Sequence, residues 1–282
     1  MELRKENDNY GGSYYVAWQE QAGARAEFVI EELSEIEGFV CSYRDEPFFM
    51  TAKTGKTVDK LPKETQWLGI KHTDGSYSVY FSVAFETYRT SFYGKGNKLW
   101  LVAVTGDETV TGKEFCAYYK ISGSSFYELV QTAAKSLREN YATCRLRTEK
   151  PAPAFMDYFG WCTWDSFYDL VKEEDVAAGL ENFKQGGFVP KLVILDDGWQ
   201  TTDDNELSRG QWKLSDYRAN GKFGFGLKET IEKAKESFGV EYFLVWHAVL
   251  GYWGGISKTA EQMKKYNVVL SEAVHTNELK ET

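Results

Sequence analysis

The sequence has few cysteine and histidine residues: four Cys and three His among 282 residues. Cys41, Cys116, Cys144 and Cys162 lie too far apart for a zinc knuckle or a CxxC redox pair. Four cysteines are also too few for the disulfide framework of a small secreted domain. We therefore expect a reduced, cytoplasmic protein that uses neither a metal nor another cofactor.

The sequence also lacks a long apolar segment and an excess of positive charge. Its first five residues, Met-Glu-Leu-Arg-Lys, contain no apolar part of a signal peptide, and no later window is apolar enough to span a bilayer. Lysine and arginine number 33 against 42 aspartate and glutamate residues, which gives a net charge of −9. This balance argues against nucleic acids and membrane surfaces as partners. The charge balance is compatible with neutral ligands, and the sequence does not indicate an oligomeric state.

Phosphate-binding and calcium-binding motifs are missing as well. Neither GxGxxG nor GxxxxGK[ST] opens an early helix of the second half, so a nucleotide-binding domain is the least favoured class of function. The acidic segment around Asp203 and Asp204 lacks EF-hand spacing, which favours a solvated loop over a Ca²⁺ site.

Aromatic residues, in contrast, are plentiful: 18 Tyr, 18 Phe and 9 Trp. They are typical of carbohydrate-binding sites, and they also fill the cores of β-rich domains. Residues 1–145 contain several short apolar and aromatic segments separated by glycine-containing turns. This pattern predicts an antiparallel β-sandwich with strands near residues 39–43, 65–70, 76–85, 99–104 and 115–119.

One predicted helix closes this half. Ser125 and Glu128 have the spacing of a capping box, and apolar side chains then follow at helical intervals as far as Leu137. Residues 146–157 contain charges and two prolines, which is typical of a linker. The sequence therefore predicts a β-sandwich domain at 1–145, a linker at 146–157 and a second domain at 158–282.

Predicted strands and helices alternate in the second half. Strands are expected at residues 158–163, 192–195 and 242–246, and helices at 173–184 and 227–238, with a weaker helix at 259–265. This order is that of a parallel sheet covered by helices. Residues 198–226 predict a long loop, and loops of this length inside a domain are usually functional.

The ends of the three strands carry the candidate functional residues. Asp196 and Asp197 follow the second strand directly, and in α/β proteins the chemistry takes place beyond the carboxyl ends of parallel strands. Trp199 adds a flat apolar surface that suits the C–H face of a sugar ring. Aromatic walls with carboxylates between them indicate a sugar site. The alternative is a loop whose acidic residues only cap the next turn.

Three motifs at these strand ends carry a family resemblance: GWCTWD at Gly160–Asp165, LDDGWQ at Leu195–Gln200 and VWHAVLGYWGG at Val245–Gly255. In order and spacing they resemble the raffinose synthase and seed imbibition protein group of glycoside hydrolase family 36, whose members include alkaline α-galactosidases. The match covers residues 155–256. The segment LPKETQ at 61–66 also resembles part of the family's N-terminal β-domain.

The resemblance implies a multidomain α and β fold, in which an antiparallel β-sandwich precedes a (β/α)₈ TIM barrel. Residues 158–282 would then supply the first three βα units of the barrel. It also implies a retaining mechanism on α-galactosides such as the raffinose-family sugars, in which one carboxylate attacks the anomeric carbon and a second acts as acid and then base.

By position, the resemblance assigns six substrate-binding residues to this sequence: Trp164, Asp196, Asp197, Trp199, Trp246 and His247. The two aspartates would hold galactose hydroxyls, and the aromatic side chains would line the galactose pocket. For His247, a structural role at the end of its strand is an equal alternative.

The family's catalytic residues are not among these six. Its nucleophile is the aspartate of a Lys-x-Asp motif at the end of the fourth barrel strand, and residues 268–282 contain no such motif. A complete barrel needs about 250 residues. We therefore expect an N-terminal part of a longer α-galactosidase or galactosyltransferase, inactive alone, with the nucleophile and acid/base beyond Thr282. The alternative is a non-catalytic carbohydrate-binding module or an inactive truncated product.

Overall fold

The computed structural model describes residues 3–19, 25–46, 49–85, 88–105, 113–142, 145–203 and 211–268. These residues form two compact units. The first contains the described residues up to Lys150, and the second contains those from Pro151 onward.

The first unit is built on an antiparallel sheet of eleven strands: β1 (Leu3–Asn7), β2 (Ser13–Gln19), β3 (Arg25–Glu32), β4 (Ile36–Glu46), β5 (Phe49–Gly55), β6 (Thr65–His72), β7 (Tyr77–Ser82), β8 (Ala84–Phe85), β9 (Tyr88–Lys95), β10 (Lys98–Val104) and β11 (Lys113–Gly123). The order is β1-β2-β11-β7-β6-β9-β10-β3, with β4 paired to both β5 and β6, and β8 paired to β9. Each predicted strand segment falls within this sheet, and the predicted antiparallel pairing is confirmed.

Aromatic side chains fill the core of this unit. Tyr80, Phe92 and Tyr119 are completely buried. The Tyr80 hydroxyl donates to Oε2 of Glu31 at 2.7 Å, and the Tyr119 hydroxyl donates to Oδ2 of Asp8 at 2.8 Å. A buried hydroxyl without a partner destabilises the folded state, so these bonds allow the rings to be buried whole. The core of a β-rich unit thus accounts for much of the aromatic content of this half.

Helix α1 (Phe126–Tyr141) packs on the sheet through Leu129 and Ala133, which are both buried. It begins after Ser125 as predicted. The Ser125 side chain makes no capping hydrogen bond, however, so the predicted capping box is wrong. The helix ends at Ala142, which adopts a left-handed backbone and donates its N–H to the Arg138 carbonyl.

The elements of the second unit are β12 (Gly160–Cys162), α2 (Trp164–Phe167), α3 (Glu173–Gln185), β13 (Leu192–Leu195), β14 (Gln200–Asp203), β15 (Lys213–Ala219), α4 (Lys228–Phe238) and β16 (Tyr242–Val245). Three of the strands are parallel, in the order β12-β13-β16, and β14 and β15 form a two-stranded antiparallel hairpin. The predicted alternation of strands and helices is confirmed, except that the weak third helix is a 3₁₀ helix at Glu261–Tyr266. Within the described ranges, no helix is both long and apolar enough to cross a lipid bilayer.

The core of the second unit lies between the parallel strands and the two longer helices. Val193 from β13, Leu180 from α3 and Ala234 from α4 are buried in one cluster. Leu192 to Leu195 are four consecutive apolar residues, as expected for a central parallel strand. This packing fixes the ends of the strands, where the candidate residues lie.

The prediction of a long loop at residues 198–226 is wrong in one respect. Strands β14 and β15 form an antiparallel hairpin within it, and residues 204–210 lie outside the described residues. In β15, Leu214 and Asp216 are buried while their neighbour Ser215 is only half-buried. The inward-facing acid disguises the apolar alternation that would have indicated a strand.

Candidate functional site

The carboxyl ends of the three parallel strands lie side by side. The register pairs Leu195, the last residue of β13, with Val245, the last residue of β16. Beyond the strands, the Thr163 N–H donates to the Ile194 carbonyl at 3.0 Å, and the Trp246 N–H donates to the Leu195 carbonyl at 2.8 Å. The three sequence motifs therefore meet at one rim, as the parallel arrangement predicts.

Asp196 is half-buried and is fixed at this rim by three hydrogen bonds. Its N–H donates to Oγ1 of the buried Thr163 at 3.0 Å. Its Oδ1 accepts from the Asp197 N–H at 2.7 Å, and its Oδ2 accepts from the Cys162 thiol at 3.0 Å. A carboxylate offers about four acceptor positions. Donors from the described residues occupy two of these positions, so Asp196 can accept further hydrogen bonds from a ligand.

Cys162 is exposed, and its thiol is the donor beside Asp196. Partial burial of the thiol raises the pKa of Cys162, and the hydrogen bond and charge of Asp196 raise it further. The raised pKa keeps the thiol protonated at neutral pH. It therefore stays a hydrogen-bond donor to Asp196.

Asp197 has a different environment from its neighbour, with only 1% of its surface exposed. Its Oδ1 accepts from the Tyr252 hydroxyl at 2.5 Å, and its Oδ2 accepts from Nε1 of Trp253 at 2.7 Å. A buried carboxylate is tolerated when it has such partners. In this structure Asp197 joins the end of β13 to the segment after β16, and its carboxylate lies away from the surface.

The segment after β16 is also held by its backbone. The Gly254 N–H donates to the Trp212 carbonyl at 2.8 Å, and the Ser257 N–H donates to the Leu214 carbonyl at 2.9 Å. A Cβ atom on Gly254 would lie 2.3 Å from the carbonyl oxygen of Gln211, so only glycine fits this approach. These contacts connect the segment to β15 and to Trp212, the residue directly before β15, and Asp197 connects it to β13.

Trp199 and Trp246 are joined by one hydrogen bond. Trp199 is 8% exposed and belongs to the core of the second unit, and its Nε1 donates to the Trp246 carbonyl at 2.9 Å. Trp246 is half-buried, and its ring packs against those of Tyr252 and Trp253 at centroid distances of 5.7 and 5.3 Å. The Trp199 side chain therefore anchors the Trp246 backbone to the core of the second unit, and Trp246 is the more accessible of the two.

His247 is exposed at the same rim. Its Nδ1 lies 2.8 Å from Nε2 of Gln200, the first residue of β14. The contact with Gln200 fixes the imidazole ring, as expected of a structural histidine, while its exposure leaves it accessible to a ligand. Both interpretations of His247 are compatible with this position.

Trp164 is half-buried at the start of α2, next to the end of β12. Its ring contacts Tyr168 edge to face, with 5.4 Å between the centroids. Trp164 is placed at the rim by its position in the chain, one residue after Thr163.

Sequence reasoning did not select the residues that hold these side chains in place. Tyr252, Trp253, Cys162, Thr163 and Gln200 all contact a predicted site residue. All five lie within the three motifs, and this position in the sequence is the feature from which they could be predicted. Among the described residues, no group of three or more His, Cys, Asp or Glu side chains is arranged to hold a metal ion.

Comparison with known proteins identifies relatives along most of the sequence. The family model for "Raffinose synthase or seed imbibition protein Sip1" matches residues 4–282. Probable galactinol–sucrose galactosyltransferase 6 of Arabidopsis thaliana is 31% identical over 250 residues, which are 77% of this chain and 33% of that protein. Galactinol–sucrose galactosyltransferase of Pisum sativum is 31% identical over 264 residues, which are 82% of this chain and 33% of that protein.

The chain spans about a third of the length of these curated relatives. A solved structure, the Thermus thermophilus α-galactosidase TtGalA in complex with stachyose, superposes with a TM-score of 0.47 at 17% identity, covering 87% of this chain and 51% of that one. The chain belongs to the raffinose synthase and seed imbibition protein family.

Proposed function

We propose that this chain forms the galactose-binding part of an enzyme that acts on α-galactosides, as a hydrolase or a galactosyltransferase, by a retaining mechanism. The proposal includes a β-sandwich followed by the first three units of a (β/α)₈ barrel, and a cytoplasmic location. Membership of the raffinose synthase family and the names of its galactosyltransferase relatives support the action on galactosides.

The observation that carries the proposal is the position of Asp196. This residue lies at the ends of three parallel strands, where Thr163 binds its backbone N–H and the Cys162 thiol and the Asp197 N–H each donate to one carboxylate oxygen. The carboxylate can accept further hydrogen bonds. Galactose presents several neighbouring hydroxyls, and hydrogen bonds to a charged acceptor contribute about 1.5–3 kcal/mol each. We assign Asp196 the role of accepting hydrogen bonds from the sugar.

The other predicted residues divide into two groups by exposure. Trp164, Trp246 and His247 are half-buried or exposed, and we assign them to the wall of the galactose pocket. Asp197 and Trp199 are buried and bonded within the chain, and we assign them to holding that wall in place. The pair of adjacent acids would then have two functions, one facing the sugar and one supporting it.

Binding of a simple galactoside tests this proposal directly. Methyl α-galactoside titrated into the chain is expected to shift the NMR signals of the indole N–H groups, and methyl α-glucoside is expected to bind more weakly. Asp196→Asn should weaken binding about tenfold to a hundredfold, because a charged acceptor is lost. The matched control is Asp157→Asn, an exposed aspartate of the same unit. Equal affinity of wild type and Asp196→Asn would contradict the assignment.

Catalysis is tested separately. The nucleophile and acid/base are proposed to lie outside residues 1–282, so the chain is expected to bind p-nitrophenyl α-galactoside without releasing nitrophenol. Turnover by this chain that survives Asp196→Asn would place the reactive carboxylates elsewhere within it.

A further inference from the structure

A hydrogen bond joins the exposed imidazole of His247 to a buried side-chain amide. Nδ1 of His247 lies 2.8 Å from Nε2 of Gln200, a residue that is 4% exposed. The two residues belong to different parts of the second unit, because Gln200 begins β14 and His247 lies two residues after the end of β16. The ring is therefore held from its buried side, which leaves its other side for a ligand at the rim.

The backbone of Gln200 is fixed where its side chain begins. Gln200 pairs with Ala219 in the β14-β15 hairpin, and its carbonyl accepts from Nδ2 of Asn220 at 3.1 Å. The same Nδ2 donates to the Gly198 carbonyl at 2.8 Å. Asn220 thus binds the chain on both sides of Trp199, and the Gln200 side chain starts from a defined position.

The backbone next to His247 is fixed as well. The Trp246 N–H donates to the Leu195 carbonyl at 2.8 Å, and the Trp246 carbonyl accepts from Nε1 of Trp199 at 2.9 Å. The Tyr217 ring on β15 lies beside the imidazole, with 6.1 Å between the ring centroids and an angle of 47°. The fixed backbone, the Tyr217 ring and the Gln200 amide together set the orientation of the imidazole.

The burial of the Gln200 amide determines which of its atoms faces the imidazole. With Nε2 at the ring, a single buried oxygen, Oε1, is left without a donor among the described residues. In the reverse orientation the NH₂ group would take that place, and a group with two donor hydrogens would lack an acceptor there. Buried N–H groups without a partner are rarer in proteins than under-satisfied carbonyl oxygens. We therefore take Gln200 as the donor and Nδ1 of His247 as the acceptor.

This hydrogen bond fixes the tautomer of the imidazole. A neutral imidazole has one donor nitrogen and one acceptor nitrogen. Because Nδ1 accepts from Gln200, the proton lies on Nε2. Nε2 is separated from Nδ1 by a ring carbon, so its N–H points away from the buried amide and toward the exposed side of the ring. The rim then offers acceptor oxygens on Asp196 and a donor on His247.

We propose that Gln200 is a positioning residue of the galactoside site, which holds His247 in the Nε2–H tautomer so that the imidazole donates to an oxygen of the bound sugar. A sugar hydroxyl is both a donor and an acceptor, so it can bind a carboxylate and an imidazole N–H at the same time. The inference rests on the proposed galactoside function. It adds to that function the direction of the hydrogen bond at His247 and the residue that sets it.

Nitrogen-15 NMR of the imidazole tests the tautomer without any ligand. At pH 8, where an ordinary imidazole is neutral, the wild-type chain should show a protonated Nε2 and an unprotonated Nδ1 at His247. Gln200→Glu replaces the donor by a carboxylate that only accepts, and it should place a proton on Nδ1. Gln185→Glu, at an exposed position on α3, is the matched control and should leave the His247 signals unchanged. A proton on Nδ1 in the wild-type chain would overturn the inference.

A double-mutant cycle tests whether Gln200 acts on the sugar through His247. In titrations with methyl α-galactoside, Gln200→Met and His247→Ala should each weaken binding about threefold to tenfold, which corresponds to one hydrogen bond. In the His247→Ala background, Gln200→Met should cause no further loss, because the ring that Gln200 orients is absent. Losses that simply multiply would mean that Gln200 affects binding independently of His247, and would overturn the positioning role.

The two experiments separate this inference from the proposed function. Normal binding of methyl α-galactoside by Gln200→Met and by His247→Ala would overturn the inference and leave the galactoside function intact. A wild-type chain that fails to bind methyl α-galactoside would overturn the galactoside function, and with it the role of His247 toward a sugar. The NMR measurement of the unmodified chain would then still show whether Gln200 sets the tautomer of His247.

Discussion

The Tyr252 hydroxyl donates a hydrogen bond of 2.5 Å to Oδ1 of Asp197, a residue 55 positions earlier in the chain. Asp196 is the more accessible of the two adjacent acids, and Asp197 is the buried one. The contact joins the end of β13 to the segment after β16. One side chain thus fixes the buried acid of the pair to a segment that follows a different strand.

Tyr252→Phe is expected to loosen the segment after β16. The variant keeps the ring but removes a donor from a buried carboxylate, which costs about 1.5–3 kcal/mol. Hydrogen exchange should accelerate at the Gly254 and Ser257 amides, whose N–H groups bind the carbonyls of Trp212 and of Leu214 in β15. Tyr266→Phe removes a hydroxyl from a tyrosine that is 43% exposed and serves as the control. Unchanged exchange at both amides would show that the bond to Asp197 does not stabilise the segment.

Gly198→Ala is expected to destabilise the second unit by more than the backbone strain alone. Gly198 and Gly187 both have positive φ angles, 110° and 82°. A Cβ atom at Gly198 would collide with the Asp169 backbone, whereas nothing lies within 4 Å of one at Gly187. Gly187→Ala therefore measures the strain of the conformation, of the order of 1–3 kcal/mol.

Chemical denaturation followed by tryptophan fluorescence should separate the two glycine variants. The loss of stability for Gly198→Ala should exceed that for Gly187→Ala, because the Asp169 backbone must also move. Equal losses would mean that the turn after Asp197 has room for a side chain. The close approach of Gly198 to the Asp169 backbone would then not affect stability.

Alkylation of Cys162 should report on the charge of Asp196. The raised pKa of this thiol leaves less of the reactive thiolate at pH 8 than in an unstructured cysteine peptide, so iodoacetamide should react more slowly with it. Asp196→Asn removes the negative charge beside the thiol, which should lower the pKa and speed the reaction. Asp157→Asn should leave the rate unchanged, and peptide mass spectrometry separates Cys162 from the buried Cys41.

The direction of the pKa shift also predicts how the alkylation rate of Cys162 depends on pH. Because the pKa is raised, the rate should continue to rise above pH 9, the ordinary value for a cysteine thiol. Methyl α-galactoside should protect Cys162 if the sugar lies against Asp196. A rate in Asp196→Asn equal to that of the wild type would show that the two side chains do not interact in solution.

The strands that position the site could be predicted because their signal is local. The run Leu192 to Leu195 is apolar on both faces, and the acids after it mark a strand end. The different environments of Asp196 and Asp197 could not be predicted in the same way. Their burial depends on Tyr252 and Trp253, which approach only when β13 and β16 pair.

The hairpin β14-β15 was missed for a related reason. Its buried Asp216 reads as a solvated residue in the sequence, and one of its carboxylate oxygens, Oδ2, accepts from Nε of Arg218. In the first unit the strands could be predicted, but their order in the sheet could not. Alternating aromatic residues indicated its strands, while the order of the strands in the sheet depends on pairings between distant segments, such as that of β2 with β11.

Glu64 is the residue of the first unit whose charge is expected to matter most for stability. It is 2% exposed, and its Oε2 accepts from Nη2 of Arg44 at 2.6 Å and from Nη1 of Arg89 at 2.7 Å. Burial alone would raise the pKa of Glu64, but the two guanidinium groups outweigh it and hold the pKa below its ordinary value. Glu64→Gln should therefore cost about 1.5–3 kcal/mol at pH 7.

The cost of Glu64→Gln should depend on pH in a defined direction. A carboxyl whose pKa is lower in the folded state stabilises that state above its unfolded pKa, near 4.5, and the contribution disappears as the pH falls through the folded value. The difference between wild type and variant, measured by urea unfolding with circular dichroism of the sheet, should shrink below pH 4.5. Glu37→Gln breaks an exposed pair with Lys71 and should change stability by less than about 0.5 kcal/mol. A cost of Glu64→Gln that stays constant down to pH 3 would mean that the carboxamide fails to fit the site, and that the charge of Glu64 contributes nothing.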